Sequence, residues 1–585
     1  MPKGGAEGAP DTVLKGHPQA ITPNIERFAK QGVPFSHAIC ASPSCGPSRP
    51  ALFTGIAPSR SGNISNDSGK RPWRFYAGSE TVTIPKLFSQ NGWDSIGIAK
   101  NFHRGDGPEF DTYIPPFKTP KKLKKVGINL NSSAIWDIAD MPVSEMGDYK
   151  AASAAIKTIK SRKGPLFLSA GIYRPHVPWI VPQAYFDLYP PETLKLSERR
   201  VEDLDDLPER LKLVAGLEAK FGKGYHEKLV KKGYDKQFVR AYLASVTFAD
   251  EQVGRILDAW YASPFAETGY VVLWSDHGYM LGEKNAWSKI KPWYDSSHSN
   301  FMIAGPGLPK GTICGKAVSL LDLYPTLVEL LDLPKPPQAL DGNSLVPLLK
   351  DPDAKWDRPV RMTSQMDGVF FESILSNDFR MTRLATGETE LYKLADDPHE
   401  FTNLAGDPEY APVIEQLEKH LSFSYPEIPA DGWMEAEEIP AQTSADYRLR
   451  GNCHYSLEDT EASGGRLVCA LLYAGPGSYV EFVIDLPTPG TYRLEGTLAM
   501  SGTCSVLVDD VRNDAAQADA GYPMKRICTL KPSKKLTDVS IGEIHFDQPG
   551  LKIIRFATEK KQEVKLDRLR LLKEASALAP KKPGK

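Results

Sequence analysis

The run Cys45-Gly46-Pro47-Ser48-Arg49-Pro50-Ala51-Leu52-Phe53-Thr54-Gly55 places a thiol just before a proline-started, short apolar helix that a glycine closes. A helix start offers free N–H groups and the positive end of its dipole, so it draws anions. Arg49 adds a fixed cation one turn on. A cysteine so placed stands beside a bound anion; the same pattern equally describes a buried core cysteine on an ordinary helix. A second pair, Asp276-His277, follows the apolar run Tyr270 to Trp274. A carboxylate and an imidazole at a strand's end suit a divalent cation, the alternative being a helix cap beside a surface histidine.

The elements that must hold these residues are legible in the spacing. Helical and strand patterns alternate over the first 350 residues, which predicts an α/β layered architecture. Pro23 to Lys30 reads as a helix capped by Thr22 and ended by Gly32. Ser95–Ala99 and Leu166–Ala170 read as short strands. Phe238, Tyr242, Val246, Ala249, Val253, Ile256, Leu257 and Trp260 recur at helical spacing, and the strand at Tyr270–Trp274 follows. Helix, strand, then polar residues at the strand's carboxyl end is where open α/β sheets bind ligands.

Near residues 420–432 the texture changes. Pro426, Pro429 and Gly432 mark a linker. Beyond it lie short alternating segments at 478–485, 491–497, 551–556 and 564–572, divided by turn residues such as 487–490. These predict a separate β-sandwich. The expected division is 1–425, a linker at 426–432, a sandwich at 433–575 and a basic disordered tail at 576–585.

Composition removes several classes of function. The chain has 585 residues, 71 basic and 73 acidic, for a net charge of −2. That near-neutral balance gives no broad phosphate-attracting field, so a dominant nucleic-acid binder is not expected. Apolar residues make up 41%, enough to build a core and to exclude bulk disorder. No apolar run approaches the roughly 18 residues of a membrane span. Seven cysteines are present without a CxxC pair, which excludes a zinc ribbon or thioredoxin-like site; four fall after residue 450, where a disulfide is conceivable.

Cys45-x-Pro47-Ser48-Arg49, followed by a small apolar helix and Thr54-Gly55, resembles the signature of the type I sulfatases. Further segments in the same order resemble that family: Gly16-His17-Pro18-Gln19 with Thr22-Pro23-Asn24-Ile25, Asp322 to Leu327, Asp341 to Leu345, Glu390-Leu391-Tyr392, Asp397 to Glu400, and Asn403-Leu404. The resemblance covers roughly residues 12–420. Within the family, three segments look most like the iduronate-2-sulfatase branch: Ala99 to His103, Tyr173 to Pro178, and Ser275 to Gly278 with Leu281-Gly282-Glu283 and Trp287-Ser288-Lys289.

The resemblance implies an alkaline phosphatase/sulfatase-like mixed sheet flanked by helices. It implies a sulfuric ester hydrolase for a sulfated sugar or glycosaminoglycan. Cys45 would be oxidised to formylglycine by a formylglycine-generating enzyme, and a calcium ion would be held by Asp276, His277 and the converted Cys45. Arg49, Lys100 and Lys289 would neutralise sulfate oxygens, His176 would protonate the leaving alcohol, and His103 would take the proton that releases sulfate. Arg174 and Trp179 stand beside His176, where a uronate carboxylate or sugar face would come. His37, His226, His298, His420 and His545 have no motif support and read as structural, with His298 near the cleft.

One departure stands out. The family opens with a buried strand ending in two adjacent aspartates that bind the metal. Ahead of Gly16 this sequence has only Glu7 and Asp11 as acids. The expectation is a longer natural chain that carries this strand and is exported to the periplasm or beyond. The C-terminal part resembles galactose-binding-like carbohydrate-binding modules, which implies a structural calcium at Glu435, Glu437 and Asp567. Two competing readings remain: a choline-sulfatase or phosphoester hydrolase of the same superfamily, where phosphoester chemistry would favour Thr or Ser over Cys45, and a catalytically impaired glycan-binding protein.

Overall fold

The computed structural model describes residues 16–64, 66, 77–103, 107–118, 122–127, 129–130, 133–216, 224–366, 369–423, 428, 431–436, 441–443, 453–458, 462–463, 466–472, 478–511, 524–558 and 562–574. Most of the expected linker and all of the expected tail at 576–585 lie outside the described residues, as do Glu7, Asp11 and Glu437.

In chain order the first part contains α1 (Pro23–Ala29), β1 (Val33–Ile39), α2 (Cys45–Thr54), α3 (Ile84–Gln90), β2 (Asp94–Ala99), β3 (Thr112–Ile114), α4 (Gly147–Ser161), β4 (Leu166–Gly171), β5 (Trp179–Pro182), α5 (Asp235–Tyr261), β6 (Val271–Trp274), β7 (Phe301–Ala304) and β8 (Cys314–Ser319). The main sheet lies in two blocks. One has the order β8-β1-β7-β6, with β1 parallel to β8 and antiparallel pairing elsewhere. The other, β3-β2-β4, is wholly parallel. A smaller antiparallel sheet follows: β9 (Val360–Met366), β10 (Val369–Leu375), β11 (Phe379–Leu384) and β12 (Thr389–Lys393).

Expected and observed elements agree within a residue or two at most ends. Thr22 departs from expectation: its side chain makes no capping bond to the helix backbone, its hydroxyl going instead to Glu26 Oε1 at 3.3 Å. The strands after residue 478 run longer than their alternation suggested, for example Gly490–Met500, because they cross the full width of a sandwich. Its two antiparallel sheets enclose Phe482, Ile484, Leu494, Val506, Ile554 and Phe556, all buried. Cys504 and Cys528 in this part are free thiols.

The outer edges of β4 and β6 have no ladder partner among the described residues. Both face one cavity of about 1910 Å³. Its walls are apolar: Val253, Ile256 and Leu257 from α5 on one side, Leu52 and Phe53 from α2 and Phe88 from α3 on the other. The four residues of β6, Val-Val-Leu-Trp, are each only half-buried as a result. Both edges thus offer backbone groups without a ladder partner among the described residues to this cavity.

The small sheet braces the active side through a buried ion network. Arg380, 1% exposed, donates to Glu400 and Glu390 and to the carbonyl of Pro292. Glu400 in turn accepts the Tyr294 amide at 2.9 Å, and Glu390 accepts the Trp293 indole N–H at 3.2 Å. This ties down residues 292–294, which follow Lys289. Arg380→Met would strand two buried carboxylates without their cation, and urea unfolding should show a loss of about 3–5 kcal/mol.

Candidate active site

The chemistry converges at the start of α2. Cys45 is the first helical residue, with Ser44 as N-cap, rather than the residue before the helix. The expected free N–H groups are largely spent: Gly46 N–H goes to Asn66 Oδ1 at 2.6 Å, Pro47 has none, and Ser48 N–H goes to Ser44 O at 3.0 Å. The prolines have local reasons. Pro50 cannot donate to Gly46 O, and the Asn63 amide takes that role at 3.2 Å. Gly55 closes the helix at φ 69, a left-handed turn natural to glycine.

Side chains supply the positive field instead. Lys289 Nζ lies 2.8 Å from Cys45 Sγ, and Lys100 Nζ lies 3.7 Å away. His277 Nε2 is 3.4 Å from the same sulfur and 3.1 Å from Lys289 Nζ. Arg49 Nε donates to Asp276 Oδ2 at 2.7 Å, and its other arm donates to the carbonyls of Lys100 and Asn101. His103 and His176 line the same cleft, and both favour the ionised thiol. Lys289, Lys100, His277, His103 and His176 thus gather about the Cys45 side chain, with Asp276 and its partner Arg49 alongside.

The backbone is bent to achieve this. Ala99, just before Lys100, has φ 57; Ser288 and Ile290, flanking Lys289, have φ 73 and 65. A β-branched residue at positive φ is costly, so tertiary contacts must hold it. One such contact is Ile290 N–H to Pro43 O at 3.0 Å, which ties the Lys289 turn to the loop entering α2.

Titration follows from the same crowding. Burial raises the Cys45 thiol, but Lys289, His277 and the hydrogen bonds from His103 and His176 outweigh it and hold it well below the usual thiol range. Burial likewise opposes ionisation of Asp276, yet Arg49 and His277 keep its carboxyl low. Lys100 is pushed down by burial and by Arg49 and Lys289, although the Cys45 charge works against this. Burial lowers His176, with Lys100 and Lys289 adding to the effect. Two imidazoles are oriented by carbonyls: His277 Nδ1 meets Gly278 O at 2.7 Å and His176 Nδ1 meets Val177 O at 2.6 Å. As donors there, both rings present Nε2 as the second, reactive nitrogen.

Residues 6–333, more than half of the chain, match the sequence model of the sulfatase family, and residues 282–425 match that of N-sulphoglucosamine sulphohydrolase, C-terminal. The chain belongs to the sulfatase family. A sulfatase of Formosa agariphila is 34% identical over 423 residues, covering 68% of this chain and 81% of that one. The iduronate 2-sulfatase of Mus musculus is 26% identical over 371 residues, covering 54% and 65%. The solved phosphonate monoester hydrolase of Agrobacterium radiobacter superposes with a TM-score of 0.59 at 21% identity, covering 71% of this chain and 94% of that one, which shows the shared alkaline phosphatase/sulfatase fold. This sulfatase is therefore a sulfuric ester hydrolase by family, and its substrate is sulfated.

The family generally uses a formylglycine and a divalent metal. A diol at residue 45 would find donors and acceptors for both hydroxyls in Lys289, His103 and His176. The metal is less well served. Cys45, Asp276 and His277 place one ligand atom each within 4.8 Å of one another. Calcium takes roughly six to eight oxygens, and three side-chain cations share this cluster. The described residues alone do not fit a calcium ion.

The remaining expected residues are placed as follows. Arg174 is 8% exposed and donates to Ile180 O. Trp179 is 1% exposed, donates to Pro175 O at 2.7 Å and packs on Phe238; it offers no sugar platform. Both brace the loop that carries His176. In the sandwich, Ser463 bridges Glu435 and Asp567, at 2.8 and 3.0 Å. Sequence reasoning missed Asn63 and Asn66, which lie in no motif and act through backbone bonds that only folding reveals, and it missed Tyr173, which sits inside a quoted motif.

The unconverted protein should show a thiolate ultraviolet band titrating below the usual thiol range. Lys289→Met removes the nearest cation, so its midpoint should move to higher pH, and Cys45→Ser should abolish the band.

Proposed function

We propose that this sulfatase hydrolyses sulfate esters of a sulfated sugar, on the side of uronate-containing glycans that its iduronate-2-sulfatase-like segments suggest, with Cys45 converted to formylglycine by a formylglycine-generating enzyme. The observation that carries the reading is the approach of Lys289, Lys100 and His277 to one sulfur atom, at 2.8, 3.7 and 3.4 Å. A sulfate ester is an anion, and a nucleophile must reach its sulfur through negative charge. Lys100 and Lys289 neutralise the non-bridging oxygens as charge moves in the transition state. The hydrated formylglycine supplies one hydroxyl to attack sulfur and a second whose deprotonation expels sulfate, a route closed to a plain serine or thiol.

His176 gives the leaving alcohol its proton, with Lys289 beside it, and His103 accepts the proton of the second hydroxyl. The lowered His176 in the bare site is offset when a sulfate anion lies between Lys100 and Lys289. Arg49 holds Asp276 and the Lys100 backbone in place. Protein made beside the converting enzyme should carry an aldehyde in the Cys45 peptide, read by mass spectrometry. It should release sulfate from aryl and glycan esters, and Cys45→Ala should cost on the order of 10³-fold or more in kcat/KM. Conversion without any sulfate release would favour the glycan-binding reading.

The gap between β4 and β6 supports a further part of the reading. An apolar strand ending in two aspartates, as the sulfatase resemblance implies, would suit this opening and complete the Asp276 cluster, and calcium is the hard cation an oxygen-completed site takes. Adding an apolar strand of about six residues that ends in Asp-Asp should raise the melting temperature and create calorimetric calcium binding. No change in either would remove the strand from the proposal.

A further inference from the structure

Tyr173 is one of the large apolar side chains left exposed, at 37%. It lines the cavity together with Lys100, His103 and His176. Its ring centroid lies 5.1 Å from Lys100 Nζ and 4.9 Å from the His176 ring, tilted by 44°. It therefore touches both the cation assigned to sulfate and the imidazole assigned to the leaving alcohol.

The loop beneath is held firmly. Buried Asp148 accepts the amides of Tyr173 and Arg174 at 2.7 and 3.2 Å. His176 N–H closes a turn onto Tyr173 O at 3.0 Å. Arg174 and Trp179 bond the same loop from below, to Ile180 O and Pro175 O. The backbone is thus fixed without the phenol ring, which fills no core. An aromatic ring kept half-open at a reactive site, with a carbonyl-anchored backbone, is placed for what it faces.

The ring face carries partial negative charge and attracts an ammonium group. Lys100 Nζ lies 5.1 Å from the Tyr173 ring centroid, within reach of that attraction. The same ring limits the swing of the His176 imidazole. Resting on the sulfatase reading above, we propose that Tyr173 is a positioning residue on the leaving-group side. It holds His176 toward the bridging oxygen and Lys100 toward the sulfate oxygens, and leaves its open face to the departing sugar.

The test compares two esters in the converted full chain. A sugar alkoxide needs a proton as it leaves; the catechol of 4-nitrocatechol sulfate does not. Tyr173→Leu should lower kcat on a sulfated monosaccharide by about 10- to 100-fold, part of the roughly 10²–10⁴-fold that general acid catalysis supplies, and on 4-nitrocatechol sulfate only a few-fold. Tyr173→Phe keeps the ring and should stay within about threefold on both. Tyr173→Met serves as a second ring-deleted variant, with melting temperatures checked for all three. Equal losses on both esters, or no loss on either, would overturn the proposal. Wild-type protein with a verified aldehyde that cleaves neither ester would overturn the sulfatase reading itself, and this inference with it.

Discussion

Like charges gather in a half-buried cleft only where an anion belongs. Arg49 is committed to Asp276 and to two carbonyls, which leaves Lys100 and Lys289 aimed at residue 45. Their mutual repulsion and their burial both favour an occupant with negative oxygens. The depressed thiol is one response to this field, and a sulfate ester is the response the family is built around. Holding these two ammonium groups in place explains most of the surrounding structure.

The supports are of different kinds. Positive φ at Ala99, Ser288 and Ile290 aims the lysines and costs backbone energy. Hydrogen bonds from Ile290 to Pro43 and from Arg49 to the Lys100 carbonyl offset that cost by tying three separate loops together. The buried Arg380 network does the same from the small sheet, through Trp293 and Tyr294. Helix α2 contributes less as a dipole than as a platform, because its first-turn amides are already engaged. Pro47 suits that use by removing a first-turn donor, whereas Pro50 leaves the Gly46 carbonyl to the Asn63 amide.

Packing and charge are short at the same place. The apolar edges of β4 and β6 open onto one cavity, and the carboxyl end of β6 leads through Ser275 to Asp276. There the described donors are too few for a hard cation.

The cluster of Cys45, the lysines and the histidines was legible in the sequence because each lies in a short ordered motif, and the α/β part and the later β-strands were legible because periods of 3.6 and 2 differ along the chain. Motifs name residue types; they do not say which way a side chain points. Arg174 and Trp179 looked like substrate contacts beside His176, yet folding turned both inward to brace the loop, and turned Tyr173 outward. Asn63 and Asn66 came to matter through backbone atoms of Gly46 some twenty residues away, a bond that no local pattern encodes. Chain-local chemistry sets what a residue can do, whereas long-range packing decides which of its atoms meet which, and only the tertiary structure contains that second fact.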